Sequence, residues 1–409
     1  MPEPKAGRDR RMRVALIGLG TASTQIVPEI LSHPNLDLAS GCDTREEARD
    51  QFTNKYGLPA YATVAEMVAD PGVDAVYVAS PNRFHCEHVT TAAEAGKEVI
   101  VEKPMALSLD ECDVMIDACD RNDVRLLAGH THSFDAPIVA MSELIRQGVI
   151  GDVYMLHNFY YTDWLFRGRL PEELDTELGG GTVYRQGPHS VDIVRLLAGS
   201  PAKSVRAVVS TADDAHPTEG GFVTLMTFES GAVATIVFSG YAYFDSSELT
   251  FGYGEAGAPR SPSTHADARR LIGGLTPAQE ARYKDSMRFG GDRAGDWMRD
   301  EVDVDPALRR HPFYGLTVVS GTKGDLRQYP EGVRIYGAGG VRDIEVPMAS
   351  LEREAELDVL YKAWRDDTAL PSHDGRWAKA SLEVLLAIRE SSRTGREIQL
   401  SHQVGPTAH

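Results

Sequence analysis

The run Arg13-Val14-Ala15-Leu16-Ile17-Gly18 ends in Gly18-Leu19-Gly20-Thr21-Ala22-Ser23. No other feature constrains the fold as strongly. A short apolar strand that feeds a glycine turn and then a helix is the opening of a doubly wound α/β domain. Gly18 allows the tight turn. Gly20 lets backbone approach a pyrophosphate, and Thr21 and Ala22 lead into the helix whose N-terminal amides face it. The third position must be small for helix and strand to pack closely, and here it is Ser23. Asp43 ends the next apolar run, about 20 residues on, where a carboxylate accepts the ribose hydroxyls of NAD. Thr44 and Arg45 follow it and leave room for the 2′-phosphate of NADP, so the reading is NAD with NADP open. Alone, the glycine motif also suits a doubly wound fold without a nucleotide.

The first third alternates strand and helix signals. Strands are expected at 13–18, 36–42, 74–80, 98–101 and 125–129. Helices are expected at 22–33 (with Pro28 as a kink), 46–56, 64–69, 87–95 and 109–121. This alternation predicts a parallel sheet covered on both faces. After residue 133 the pattern changes to one helix, 138–147, and a series of strands at 153–162, 203–209, 222–228, 232–240, 249–253 and 313–320. Two helices, 351–366 and 377–394, and a strand at 397–400 close the chain. The fold class is thus an N-terminal Rossmann domain (12–133) plus an α+β domain (134–400) with a largely antiparallel open sheet. Residues 1–11 read as disordered and 401–409 as a tail. Residues 254–312, rich in Gly, Pro, Arg and Asp, read as an insertion. It is either a lid over the substrate cleft, an oligomer contact carrying Tyr283, Phe289 and Trp297, or a tolerated surface loop.

Composition narrows the partners. The 409 residues carry 42 Lys+Arg against 60 Asp+Glu, a net charge of −18. A chain this acidic, with no basic run, is not expected to bind nucleic acid or an anionic membrane. No apolar run nears the ~18 residues of a spanning helix, and no secretory core opens the chain. Cys42, Cys86, Cys112 and Cys119 form no C-x-x-C pair, which fits a reduced, cytoplasmic protein. The histidines show no H-E-x-x-H pattern, so no metal site is expected.

Several further motifs have a recognisable look: Ser80-Pro81-Asn82 with His85, Glu102-Lys103-Pro104, and Gly179-Gly180-Gly181 ahead of Gly187-Pro188-His189. Together with the glycine loop they resemble the glucose-fructose oxidoreductase/inositol dehydrogenase (Gfo/Idh/MocA) family over nearly the whole chain outside 254–312. The resemblance implies a nicotinamide-dependent oxidoreductase acting on a small molecule, and a homo-oligomer. It implies Lys103 as the catalytic lysine and His189 as a second acid/base. Glu102, Ser80, Asn82 and His85 would lie on the nucleotide side, although His85 could instead cap the following helix. A lysine at a strand's carboxyl end suits proton exchange with a hydroxyl, because desolvation shifts its pKa.

Two departures stand out. The family commonly places an acid four residues before the histidine, and this chain has Arg185. An arginine cannot serve as a base near neutral pH but grips a carboxylate with two parallel bonds. Arg185 therefore points to an anionic substrate, or else pairs locally with Glu177 or Asp192. If the stretch starts one helix, Arg185 and His189 share a face. Ser133 stands where many relatives carry arginine, and His130 or His132 could take its place or simply pack. Tyr160 and Trp164 complete the expected substrate set. The Arg-Gln-Gly-x-His run, His311-Pro312-Phe313-Tyr314-Gly315 and Gly324-Asp325-Leu326-Arg327-Gln328 resemble the branch that oxidises carboxylated cis-dihydrodiols, such as phthalate dihydrodiol dehydrogenases. Alternatives are a sugar, sugar-acid or inositol dehydrogenase, and a non-redox hydrolase or lyase with tightly held NAD.

Overall fold

The computed structural model describes residues 10–129, 131–296, 305–348 and 353–406. Residues 1–9 of the expected disordered stretch 1–11, with His130, Trp297 and residues 407–409, lie outside the described residues; Arg10 and Arg11 are ordered, bonding Asp74 (2.6 Å) and the Leu36 carbonyl (3.0 Å).

Six parallel strands build the first sheet: β1 (Met12–Ile17), β2 (Leu36–Cys42), β3 (Ala60–Tyr61), β4 (Ala75–Val78), β5 (Glu98–Val101) and β6 (Leu126–Ala128). Their order is β3-β2-β1-β4-β5-β6. The order reverses between β1 and β4, and a ligand crevice forms at such a switch point, outside the carboxyl ends of the strands. Side chains alternate between two apolar cores. Ala15, Ile17, Val76 and Val78 face one, while Val14, Leu16, Ala75 and Tyr77 face the other. That is why these strands read as continuous apolar runs.

Nine strands form the second sheet: β7 (Val153–Tyr161), β8 (Ala202–Ser210), β9 (Gly221–Phe228), β10 (Val233–Ser239), β11 (Leu316–Gly321), β12 (Gly324–Tyr329), β13 (Gly332–Gly337), β14 (Gly340–Glu345) and β15 (Ile398–Gln399). The order is β14-β13-β12-β11-β7-β10-β9-β8-β15. Among the described residues of this sheet, only β7 and β10 pair in parallel. One apolar core runs from the first sheet into this one through Leu156, Met226, Ile236 and Val319, closed by Leu382, Leu385 and Ile388 of the helix Gly375–Thr394.

Three sequence expectations change. Residues 249–253 form no strand: a 3-10 turn (Ser246–Leu249) and Phe251 with φ +61° bend the chain there. The hairpins β12–β14 were not singled out, because glycines and charges break their alternation. The helix Glu354–Asp366, placed by its sequence in the second domain, sets Leu357, Leu360 and Trp364 into the other core of the first sheet. The start of the tail is also held, as Ser401 and His402 donate their amides to Glu383.

The described residues of the segment, 254–296 and 305–312, pack against both domains. They contain two helices, Thr264–Ile272 and Pro277–Asp285. Phe289, 1% exposed, packs edge-on against Phe52 and Tyr56 of the first domain. Gln51 exchanges hydrogen bonds with the Gly290 amide (2.7 Å) and the Gly291 carbonyl (3.0 Å).

Candidate active site

A cleft of about 620 Å³ lies between the two sheets, at the switch point. One wall is the glycine loop. Gly18 has φ +88°, and a Cβ there would sit 2.8 Å from Ser80 backbone atoms. At Gly20 a Cβ would meet only the Ala79 carbonyl, at 3.9 Å, so that space is open toward the cleft. Ser23 explains its departure from glycine: it is fully buried and its hydroxyl donates to the Gly18 carbonyl at 2.5 Å. The helix Thr21–Ser32 starts without a side-chain cap, and Thr21 and Ala22 line the cleft. Uncapped amides at such an end favour an anion. The buried Asn82 Nδ2 also lacks a partner and lines this cleft. These groups fit a dinucleotide.

Asp43 is more constrained than the sequence suggests. Its carboxylate accepts from the Leu19 amide (2.9 Å), the Arg45 amide (2.9 Å) and the Arg45 guanidinium at Nε and Nη2 (both 3.1 Å). Burial would raise its pKa, but these bonds outweigh burial and hold it below the usual range. Arg45 in turn donates to the Leu19 and Phe289 carbonyls, so the insertion helps fix Asp43 at the end of β2. Neither Asp43, Thr44 nor Arg45 lines the cleft directly. Ser80 does, and its hydroxyl bonds His88. His85 does not: fully buried, it contacts the carbonyls of Ser80, Pro104 and Met105, tying the β4 and β5 loops together.

The turn after β5 carries Glu102 and Lys103, and the Lys103–Pro104 peptide is cis. Glu102 accepts from the Tyr77 hydroxyl (2.7 Å) and from Arg353 (2.8 Å). Lys103 Nζ donates to the Arg185 carbonyl at 2.8 Å. Burial lowers the Lys103 pKa to about 8; Glu102 opposes the drop, and Arg185 and Arg353 reinforce it.

The opposite wall comes from the second domain. Arg185 ends one short helix (Gly181–Arg185), and His189 lies in the first turn of the next (Gly187–Ala198). They do not share one continuous helix, because Gln186 breaks it, yet both reach the cleft. Glu177 instead pairs with Arg389, and Asp192 engages Thr131 and Ser381, so the two local acids are not partners of Arg185. Its Nε is buried without a hydrogen-bond partner. His189 sits in an aromatic cluster, with its ring 4.9 Å from His132 and 4.7 Å from Tyr314. His132 bonds Asp135 at 2.9 Å. Trp164 lines the cleft, whereas Tyr160 backs it, meeting Tyr314 edge-on and donating to Glu255.

Sequence reading missed part of this wall. Arg167, Arg169, Glu173, Glu255 and Lys284 also line the cleft. Arg167 is held by Asp163 and Glu255, and Arg169 by Glu173 and the Trp164 carbonyl. No local motif marks them, since they converge from segments far apart in sequence.

Two family models match the chain: "Oxidoreductase family, NAD-binding Rossmann fold" over residues 12–130, and the GFO/IDH/MocA C-terminal domain over residues 138–258. A 1-carboxy-3-chloro-3,4-dihydroxycyclohexa-1,5-diene dehydrogenase from Comamonas testosteroni is 33% identical over 93% of this chain and 95% of its own. The chain belongs to the Gfo/Idh/MocA oxidoreductase family. The Rossmann domain of this oxidoreductase is accordingly an NAD-binding one. A myo-inositol 2-dehydrogenase from Thermotoga maritima is 31% identical over 55% of this chain and 67% of its own. Among solved structures, a Bordetella bronchiseptica RB50 protein assigned as a dehydrogenase superposes with a TM-score of 0.87 at 39% identity. It covers 95% of this chain and 100% of its own. Among the described residues no helix is long and apolar enough to cross a membrane, and all four cysteines are free.

Proposed function

We propose that this oxidoreductase oxidises a secondary hydroxyl of a cyclic, anionic substrate, a carboxylated aromatic cis-dihydrodiol, with NAD as hydride acceptor. The observation that carries this reading is Arg185. It is a cation without a hydrogen-bond partner at its buried Nε, beside Lys103 and His189, with Glu177 and Asp192 engaged elsewhere. A carboxylate satisfies it through paired N–H bonds. The Comamonas relative, whose name carries a carboxylated dihydroxycyclohexadiene, supports the same class.

In this reading the bound nicotinamide supplies the hydride acceptor. Lys103, neutral above about pH 8, takes the hydroxyl proton. His189, beside His132 and Tyr314, hydrogen-bonds the substrate oxygen, and Glu102 with Asn82 and Ser80 lines the nucleotide side. Loss of hydride and proton leaves a ketone that tautomerises to a catechol, and aromaticity draws the reaction forward. The four free thiols support a reducing cytoplasm. Exposed Val208 and Val223, directly paired across β8 and β9, support a homo-oligomer through the outer sheet face.

The test is turnover with NAD across a carboxylated cis-dihydrodiol, its carboxyl-free analogue, inositol and neutral sugars. Equimolar NADH and catechol are expected from the first. Arg185→Ala should raise its KM far more than it lowers kcat, because that contact exists in ground and transition states alike. A neutral sugar or inositol turned over as efficiently as the carboxylated diol would overturn the reading.

A further inference from the structure

A carboxylate that belongs to no sequence motif stands on the cleft wall. Glu255 lies at the start of the segment 254–312, on a turn held by backbone hydrogen bonds. The Gly257 amide donates to the Gly254 carbonyl (3.1 Å), the Gly254 amide to the Ala258 carbonyl (3.2 Å), and the Arg310 amide to the Gly257 carbonyl (3.0 Å). Gly257 has φ +70°, and a Cβ there would come within 2.1 Å of the Arg310 carbonyl oxygen. A side chain has no room at that position, and the tight turn keeps Glu255 in one place.

Its oxygens lie close to the groups assigned to the substrate. Oε2 accepts from the Tyr160 hydroxyl at 2.9 Å, and Oε1 accepts from Arg167. The Tyr160 ring meets Tyr314 at 4.7 Å, and Tyr314 meets His189 at the same distance. Two aromatic rings thus connect Glu255 to His189, and both Glu255 and His189 line the cleft with Lys103 and Arg185. Burial would raise the Glu255 pKa, but Arg167, His132 and Tyr160 hold it down to about 2. It is an anion at neutral pH, able to accept about four hydrogen bonds. Tyr160 and Arg167 take two of these. The ion pair with Arg167 does not by itself call for a place on the wall, because Arg167 also meets Asp163 at 2.8 Å, and Asp163 does not line the cleft.

We propose that Glu255 accepts a hydrogen bond from the hydroxyl next to the one that is oxidised, so that the cleft reads a vicinal diol. The inference rests on the carboxylated-diol reading above and adds a third corner to it. Arg185 grips the carboxylate, Lys103 and His189 meet the reacting hydroxyl, and Glu255 takes the neighbouring one. An ionised carboxylate suits the task because it can only accept. A site built to accept from a hydroxyl also rejects an analogue that lacks it. Three attachment points fix which face of the ring meets the nicotinamide.

The probes are 3,4-dihydroxybenzoate, which keeps the carboxylate and both oxygens of an oxidised diol, and 3- and 4-hydroxybenzoate, which each lack one hydroxyl. They are titrated calorimetrically into the NADH-loaded enzyme. Wild type should bind the dihydroxy compound about tenfold or more tightly than either monohydroxy one, the scale of one charge-assisted hydrogen bond. Glu255→Gln should erase that preference over one of the two, weakening the dihydroxy compound while leaving that monohydroxy compound and NADH unchanged. Tyr160→Phe removes a contact of Glu255 but not its charge and should keep the preference. If Glu255→Gln does not fold, Glu255→Asp, one methylene shorter, must lower the same preference. Equal binding of all three benzoates by wild type would overturn the role of Glu255. So would an undiminished preference in the folded variant, an equal loss on all three benzoates, or a parallel loss of NADH affinity. Wild type binding catechol as tightly as 3,4-dihydroxybenzoate would instead overturn the anionic-substrate reading, and catechol against phenol would then decide the role of Glu255.

Discussion

Lys103 Nζ donates a hydrogen bond to the main-chain carbonyl of Arg185 at 2.8 Å. One contact thus joins the turn after β5 in the NAD-binding domain to the helix end that carries the cationic side chain of the second domain. The ammonium is held by backbone, so its position does not depend on how the Arg185 side chain turns toward a ligand. Proton transfer and substrate capture can then be separated by mutation.

The pH dependence follows from Lys103. Its pKa is lowered to about 8, chiefly by burial. A general base works when deprotonated, so kcat/KM for alcohol oxidation should rise with pH through about 8 and then level. Carbonyl reduction needs the protonated form and should fall through the same range. Lys103→Met should cut turnover by roughly 10²–10⁴ with NAD binding largely intact. Initial rates in both directions from pH 6 to 10 check this; a flat oxidative profile would remove Lys103 from the proton step.

The two loop glycines should fail in different ways. A side chain at Gly18 meets Ser80 backbone at 2.8 Å in a left-handed conformation. Gly18→Ala should therefore lower the thermal midpoint by several degrees, the scale of a ΔΔG of about 1 kcal/mol or more. Gly20→Val meets little protein. It should leave the midpoint nearly unchanged while weakening NAD well over tenfold. Thermal melts beside fluorescence titration separate the two, and a Gly20→Val protein with normal NAD affinity would contradict the pyrophosphate placement.

Beyond the end of β2, Arg45 occupies Asp43. Arg45→Ala removes the compensating charge from a carboxylate that repels a 2′-phosphate. Preference for NAD over NADP should grow by about tenfold, or 1.4 kcal/mol. The ratio of kcat/KM values with the two nucleotides measures it, and an unchanged ratio would show that Arg45 does not set this discrimination.

How much of this was readable from the chain depends on the range of each interaction. Gly18, Gly20 and Ser23 were legible because a strand–turn–helix with a phosphate has local stereochemical demands. Lys103, His189 and Arg185 were legible as short motifs, and the fold does bring them to one cleft. His85 could not be placed by motif, since its three carbonyl contacts come from separate loops. Asp43 was read correctly as an acid at a strand end, but its saturation by Arg45 depends on Phe289 more than 200 residues on. Arg169, Glu173 and Lys284 carry no local pattern at all, and only the docking of the insertion makes them neighbours. The failure at 249–253 has a plainer cause: Phe251 at positive φ turns an apolar run that otherwise suits a strand.

Arg353 precedes the helix Glu354–Asp366 and reaches back to the cleft. Its guanidinium donates to Glu102 (2.8 Å), the Tyr77 hydroxyl (2.6 Å) and Gln25 (3.2 Å). Burial alone would raise the Glu102 pKa, but Arg353 and Lys103 keep it low. Glu102 raises the Lys103 pKa and Arg353 lowers it, so the arginine acts on the lysine both directly and by offsetting the carboxylate. In Arg353→Met, Glu102 loses its main compensating charge while Lys103 keeps an acidic neighbour. The lysine should then hold its proton more strongly, and the oxidative kcat/KM profile should move alkaline by about one pH unit, roughly 1.4 kcal/mol. Arg353→Lys restores a charge but not the forked geometry and should move the profile by less. A merely structural role would lower activity at every pH without moving the midpoint. A Met variant with reduced rates and an unshifted midpoint would therefore exclude Arg353 as the residue that sets the pKa of Lys103.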